Sequence, residues 1–283
     1  MAQPLRHAKQ TARSRQKYTE LSKRPLYILA FLLPMIVYYE IALYIANKNI
    51  QIKAHDALIR FFERFDMPPT QGLFLGGVAI VTILAIKHIM SKDRWAVEPK
   101  VIVGMTVESI LLTFPLLAFG SLLTIVAVAT SPSVISGFGL SERIAVSLGA
   151  GIYEEFIFRW LLITGVHTLV CNVFKQSNVA GLSAGIIISA VTFAMYHDFP
   201  DFGTLGLGAL LFFGFAGIYL SLIYVNRGFG IAAGTHAAYD LVVTILFARS
   251  EERRVGKECR SRWSPYHEKQ KKKNKNEKRS TAE

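Results

Sequence analysis

Cysteine is nearly absent from this 283-residue chain, which has only Cys171 and Cys259. Two thiols so far apart supply neither a disulfide framework nor a thiolate metal site. Charge is also scarce, at 18% of residues, and acids are the minority, with 20 Asp and Glu against 32 Lys and Arg. What charge there is collects at the ends. Residues 1–24 hold seven Lys and Arg, and residues 249–283 hold thirteen against six acids. A net charge of +12 spread over one surface would suggest nucleic acid as a partner. Basic flanks around a sparsely charged middle indicate a membrane protein instead, so no nucleic acid is expected. No cleavable signal peptide is evident, because the first apolar run is long enough to remain in the membrane as an anchor.

Long apolar runs fill the middle: Leu26–Ala46, Gly72–Met90, Val101–Ala129, Ile144–Val170, Val179–Tyr196, Thr204–Val225 and Gly230–Ala248. Each reaches or approaches the ~20 residues that cross a hydrocarbon core of about 30 Å. The expected fold is all-α, a polytopic transmembrane bundle of about seven spans. Pro115 interrupts the third run and predicts a broken or tilted helix there. The chain divides into a basic segment (1–24), transmembrane helices without a motif (25–130), a motif-bearing transmembrane core (131–248) and a disordered basic tail (249–283). The basic N-terminus predicts a cytoplasmic start for a multi-pass cell-membrane protein whose surroundings are the lipid bilayer.

Two segments strain this layout. Asn47–Gln71 carries four basic residues on the outer side, and its stretch Ala57–Phe65 reads as an amphipathic surface helix. Seven spans also leave the basic tail outside, against the charge rule. Either an eighth span exists, or the tail is not native. Its run Val255–His267 departs abruptly from what precedes it and resembles translated vector or adapter sequence. Residues 249–283 are therefore set aside from the functional reading.

Against so apolar a background, a few polar side chains stand out. Glu154, Glu155 and Arg159 lie within six residues of one apolar run, where an ionised group costs about 2.5–3.5 kcal/mol even on the lenient insertion scale. Glu155 and Arg159 are i and i+4, so they share a helix face and can pair. Glu154 is turned about 100° away, which leaves it available to water or substrate. Pure helix-stitching would explain Glu155 with Arg159 but does not require the second glutamate. Phe193 and His197 follow at i and i+4, and His236 and Asp240 repeat that spacing on the last run. Alone, His197 reads as an interfacial histidine, and His236 with Asp240 as a buried structural pair. Glu40 and Glu108 lack partners at helical spacing and read as structural or gating groups, while His88 and His167 read as interfacial. Gly181 with Gly185, and Gly230 with Gly234, are small-residue faces that let membrane helices approach closely.

Three motifs in order, Glu154-Glu155-x-x-x-Arg159, Phe193-x-x-x-His197 and His236-x-x-x-Asp240, resemble the signature of the CPBP family. These are the CAAX proteases and bacteriocin-processing (Abi) enzymes, related to the type II CAAX prenyl endopeptidase. The resemblance covers roughly residues 140–248. It implies a glutamate-dependent, metal-independent intramembrane endopeptidase without a cofactor, acting on a membrane-associated peptide or protein. On that resemblance Glu154 activates water with His197 as its partner, and Arg159 orients the glutamates. His236 and Asp240 stabilise the oxyanion. Asp240 stands where the family often has Asn, and an ionised carboxylate cannot donate to an oxyanion. It therefore either carries a proton or orients His236 as the donor, and the second is preferred.

The residue types suit peptide hydrolysis independently, since it needs a base for water, an oxyanion donor and an acid for the leaving amine. No Ser-His-Asp arrangement or nearby Cys offers a covalent nucleophile. Two other readings remain open. Glu154, His197, His236 and Asp240 could form a zinc site, although His-Glu-x-x-His spacing is missing. Alternatively, the polar centre serves a non-enzymatic immunity, scaffold or transport protein.

Overall fold

The computed structural model describes residues 17–45, 69–123, 139–197 and 204–245, and the regular elements among them are all helical. The N-terminal 16 residues, the amphipathic stretch Ala57–Phe65, the turn after His197 and the basic tail lie outside the described residues. Each of the seven apolar runs contains a helix. These are α1 (Pro25–Ile45), α2 (Pro69–Ser91), α3 (Pro99–Leu111) with α4 (Phe114–Leu122), α5 (Leu140–Val173), α6 (Asn178–Tyr196), α7 (Thr204–Arg227) and α8 (Phe229–Ile245). Five spans are long and apolar enough to cross a bilayer: α1, α3 with α4, α5, α6 and α7. Gly76–Ser91 and Phe229–Ile245 are shorter apolar helices. The protein is thus a polytopic helical membrane protein. Residues Met1–Val242 form one unit by their mutual contacts.

Proline sets several boundaries. Pro25, Pro69 and Pro99 open α1, α2 and α3, where a missing N–H is no loss because the first turn leaves its N–H groups unpaired anyway. Pro115 opens α4 in the same way, so the third run does break, at Leu112 and Thr113. The break is tied from both sides. The Thr113 hydroxyl donates to the Ile110 carbonyl at 2.7 Å, and the Tyr219 hydroxyl of α7 donates to the Leu112 carbonyl at 2.9 Å. In an apolar medium a backbone carbonyl released at such a break needs a replacement donor.

The main buried apolar cluster gathers on one face of α1. Its Leu32, Ile36, Tyr39 and Leu43 pack with Ile80 and Leu84 of α2, Ile152, Tyr153 and Phe156 of α5, and Phe229 and Ala233 of α8. On the other face of α1, Leu33, Val37 and Ile41 remain exposed, as expected of a helix that is apolar all round and faces lipid. Glycine controls the closest contacts. A Cβ at Gly151 would lie 2.6 Å from the Ala237 nitrogen, so α5 and α8 touch backbone to backbone. Both small-residue faces are used. Gly181 and Gly185 press α6 onto Cys171 and Ile163 of α5, and Gly230 and Gly234 press α8 onto Met105 and Ser109 of α3.

Two acids that lacked partners along their own helices find them on others. Arg227 at the end of α7 grips Glu108 of α3 with both arms, Nε to Oε1 at 2.5 Å and Nη2 to Oε2 at 2.7 Å, and the Tyr18 hydroxyl donates to Oε2 at 2.6 Å. Burial, and then the hydrogen bond to Glu108, push the Tyr18 phenol above its ordinary range. Glu40 accepts a hydrogen bond from the Tyr153 hydroxyl of α5. His88, in the last turn of α2, is 1% exposed, and the Trp95 ring from the following loop meets it edge-on at 4.4 Å between centroids.

Candidate active site

The helix that carries the glutamate pair changes its winding there. Leu140–Glu155 is α-helical, beginning where the Gly139 N–H donates to the Glu142 carboxylate at 2.7 Å. The next eight residues, Phe156–Ile163, form π turns, and so do Leu169–Val173. Such wide turns are rare and concentrate at functional sites. The first one is locked from α6, where the buried Ser189 hydroxyl donates to the Phe158 carbonyl at 2.7 Å.

Within this frame Glu155 and Arg159 are both fully buried and lie 3.0 Å apart, Oε1 to Nη1. The contact is an ion pair without hydrogen-bond alignment, since no guanidinium nitrogen has a directed partner among the described residues. Instead the guanidinium lies over the Phe193 ring, with Cζ 4.0 Å from its centroid, a cation–π arrangement that suits a planar cation with few waters. Phe193 is thereby the hub of the site. Its ring edge also meets His197 at 4.7 Å, His236 at 5.9 Å and Phe158 at 5.5 Å.

Glu155 has a second partner that helical spacing does not reveal. Its Oε1 also accepts from His236 Nδ1 at 2.8 Å. The hydrogen bond that fixes the His236 ring therefore comes from Glu155, whereas Asp240 was expected to orient it. Asp240 Oδ2 instead faces the opposite nitrogen, Nε2, at 3.6 Å. The reason is geometric. The approach of α5 to α8 at Gly151 brings Glu155 within hydrogen-bond reach of the ring, and the i+4 residue on the same helix comes less close.

Glu154 points to a different group of atoms. Its Oε2 lies 3.9 Å from His197 Nε2 and 4.0 Å from His236 Nε2, and it has no hydrogen-bond partner among the described residues. His197 Nδ1–H donates to the Phe193 carbonyl at 2.8 Å, so Nε2 is the ring nitrogen that faces Glu154. Phe213 of α7 stacks on this imidazole, 3.9 Å between centroids and 17° between planes. No sequence signal marked Phe213, which sits in an apolar run without a motif. Exposure is graded across the cluster. The Glu155 and Arg159 side chains are at 0%, Glu154 and His236 at 8%, His197 at 21% and Asp240 at 27%. The sealed floor is the ion pair, and the accessible rim is His197 with Asp240. All seven residues singled out in the sequence thus come together. Among the described residues, no group of three or more His, Cys, Asp and Glu has metal-holding geometry.

Fold and site together define a multi-pass membrane protein with an acid–imidazole centre between its helices. Residues 136–242 match the family model described as type II CAAX prenyl endopeptidase Rce1-like, and this segment is thereby similar to the CPBP/CAAX protease family. The match takes in every residue of the cluster and excludes α1 to α4. A match to a membrane protease family implies a peptide or protein substrate. No curated protein and no solved structure matches the chain.

Proposed function

We propose that the protein is an intramembrane endopeptidase in which Glu154 activates water to cleave a membrane-associated peptide or protein, without a metal ion. One observation carries the reading. Glu154 Oε2, without a hydrogen-bond partner among the described residues, lies 3.9 and 4.0 Å from two imidazole nitrogens, too far for direct hydrogen bonds and close enough to share a water. Glu154 takes the proton of that water as it attacks the scissile carbonyl. His197, with Nε2 toward Glu154, receives the proton or returns it to the leaving amine. His236 in its doubly protonated form keeps Nδ1–H on Glu155 and presents Nε2–H to the oxyanion, with Asp240 beside it to balance the charge. Glu155 and Arg159 hold the ring and the floor rather than react.

The basic segment 1–24 supports a cytoplasmic N-terminus, which accessibility of an N-terminal tag in inverted vesicles would establish. Comparative membrane peptidomics between wild type and Glu154→Gln tests the activity itself. A precursor should accumulate in the variant, and its cleavage should resume with purified wild-type protein in nanodiscs. An unchanged peptide profile would remove the protease reading in favour of a binding protein. Cleavage should also survive exhaustive chelation, and loss that zinc restores would overturn the metal-free chemistry while keeping the protease.

A further inference from the structure

A cavity of about 430 Å³ opens at one end of the bundle, between the start of α1, the last turns of α2, the second half of α5 and the junction of α7 with α8. It lies away from the acid–imidazole centre. Leu182 of its wall and His197 sit near opposite ends of α6, about 22 Å apart along the helix. Two lysines line it, Lys23 ahead of α1 and Lys87 near the end of α2, and no acid does so among the described residues. Both side chains rest on other parts of the wall. The Lys87 ammonium lies 4.9 Å from the centroid of the Trp160 ring, and a Cβ at Gly228 would lie 3.7 Å from Lys23 Cγ. Three neighbouring cations are already neutralised, Lys17 by Glu98 at 2.8 Å, Arg24 by Asp93 at 3.1 Å and Arg227 by Glu108 at 2.5 Å. Lys23 and Lys87 have no such carboxylate among the described residues. A neutral donor stands with them. The Thr164 and Tyr224 hydroxyls share one hydrogen bond at 3.2 Å, which uses one of their two protons and leaves the other to donate. The remaining wall is mostly apolar, with Ile28, Leu84, Ile163 and Phe229 buried.

We infer that this cavity binds an anionic phospholipid, with its phosphate at Lys23 and Lys87 and the upper part of an acyl chain against Ile28, Leu84 and Phe229. The volume falls in the range of small-molecule sites, roughly 300–1,000 Å³, enough for a compact head group and the first part of a chain. Lys23 precedes the first residue of α1, and Lys87 lies in the last turns of α2. Both therefore stand at head-group level, where lysine and tryptophan concentrate in membrane proteins. Basic pockets between helices at that depth suit anionic head groups. A zwitterionic lipid would bring its own cation against two unneutralised ammoniums. A free phosphate would meet the lysines but lose water against the apolar wall without replacement, whereas an acyl chain covers that wall. The site is independent of the proposed peptidase chemistry.

Native mass spectrometry of the full-length protein in detergent, titrated with phosphatidylglycerol, tests the site. One lipid should be retained, and phosphatidylcholine should bind roughly tenfold more weakly. Lys23→Gln and Lys87→Gln should each weaken retention about fivefold, the usual effect of one basic residue beside an anionic head group, and the double variant about twentyfold. Lys100→Gln, in the first turn of α3 and outside the cavity, should change nothing. Leu182→Trp, which fills the cavity from α6 and leaves both lysines in place, should abolish retention. Inorganic phosphate at the same concentration should not displace the lipid. No retained lipid, equal retention of phosphatidylcholine, full binding by the double lysine variant, or a loss in Lys100→Gln equal to that in Lys23→Gln would each overturn the inference. Displacement by inorganic phosphate would overturn it in favour of a soluble anion. Lys23 and Lys87 are both exposed, so their variants keep the fold, and the test stands even if Leu182→Trp does not.

Discussion

Replacing Arg159 with methionine removes a cation that touches two groups at once. At 3.0 Å from Glu155, two unit charges attract by about 5.5 kcal/mol at an effective dielectric near 20. Desolvation cancels much of that in the intact pair, but it does not cancel when one partner is deleted. Leaving a buried charge alone costs about 3–5 kcal/mol, an upper range here because Glu155 keeps the hydrogen bond from His236 Nδ1, and the lost contact with the Phe193 ring, 4.0 Å away, adds roughly 0.5–2 kcal/mol. Arg159→Met should therefore lose about 3 kcal/mol of stability in detergent, read from denaturant or thermal unfolding. The informative partner is Glu155→Gln. A glutamine amide oxygen can still accept from His236 Nδ1, while the uncompensated charge is gone. The double variant should recover about 2 kcal/mol or more relative to Arg159→Met alone, a coupling that a double-mutant cycle measures directly. Its peptide-cleaving activity should stay low, because the floor beneath Glu154 is no longer held by charge. A single variant losing under 1 kcal/mol, or a double variant no more stable than Arg159→Met, would refute the brace.

Glu154→Gln should keep wild-type stability and lose turnover by about 10²–10⁴-fold, the usual worth of a positioned base, with peptide affinity nearly unchanged in an equilibrium binding assay. Phe213→Ala should lower turnover by about tenfold or less, since it removes one stacked ring worth roughly 0.5–1.5 kcal/mol from His197, and the loss should appear in kcat rather than KM. Gly151→Ala sets a methyl 2.6 Å from the α8 backbone and should cost about 1–3 kcal/mol through overpacking. On the same helix, Gly165→Ala meets nothing within 4 Å and should leave thermal stability unchanged or raised by up to about 1 kcal/mol.

Spacing along the chain captured what lies within one helix. The Glu155–Arg159 pair, the glycine faces of α6 and α8 and the break at Pro115 are each local consequences of helical geometry, and each is legible before any contact is known. Contacts between helices depend on how far each helix is rotated about its axis, which apolar periodicity specifies poorly when lipid and core are equally greasy. That is why Glu40 and Glu108 looked solitary, although Tyr153 and Arg227 complete them from 113 and 119 residues away. It is also why Asp240 was preferred as the group that orients His236. The i+4 rule names the nearest residue on the same helix, and a bare glycine at 151 let another helix come closer.

The glutamate pair gathers these strands. A rotation of about 100° between neighbours requires Glu154 and Glu155 to face different surroundings, but it does not say which surroundings, or which residue is sealed. Two features outside that rule decide it. The π turns that start at Phe156 let Arg159 lie over Phe193 while still reaching Glu155, and the contact at Gly151 brings in His236 as the second partner. With both ligands drawn to Glu155, the remaining carboxylate is left with longer contacts to two imidazoles, beneath the more open rim of His197 and Asp240. That combination is what the proposed role of Glu154 as general base requires, because a carboxylate held by both an arginine and a histidine is less free to accept a proton from water.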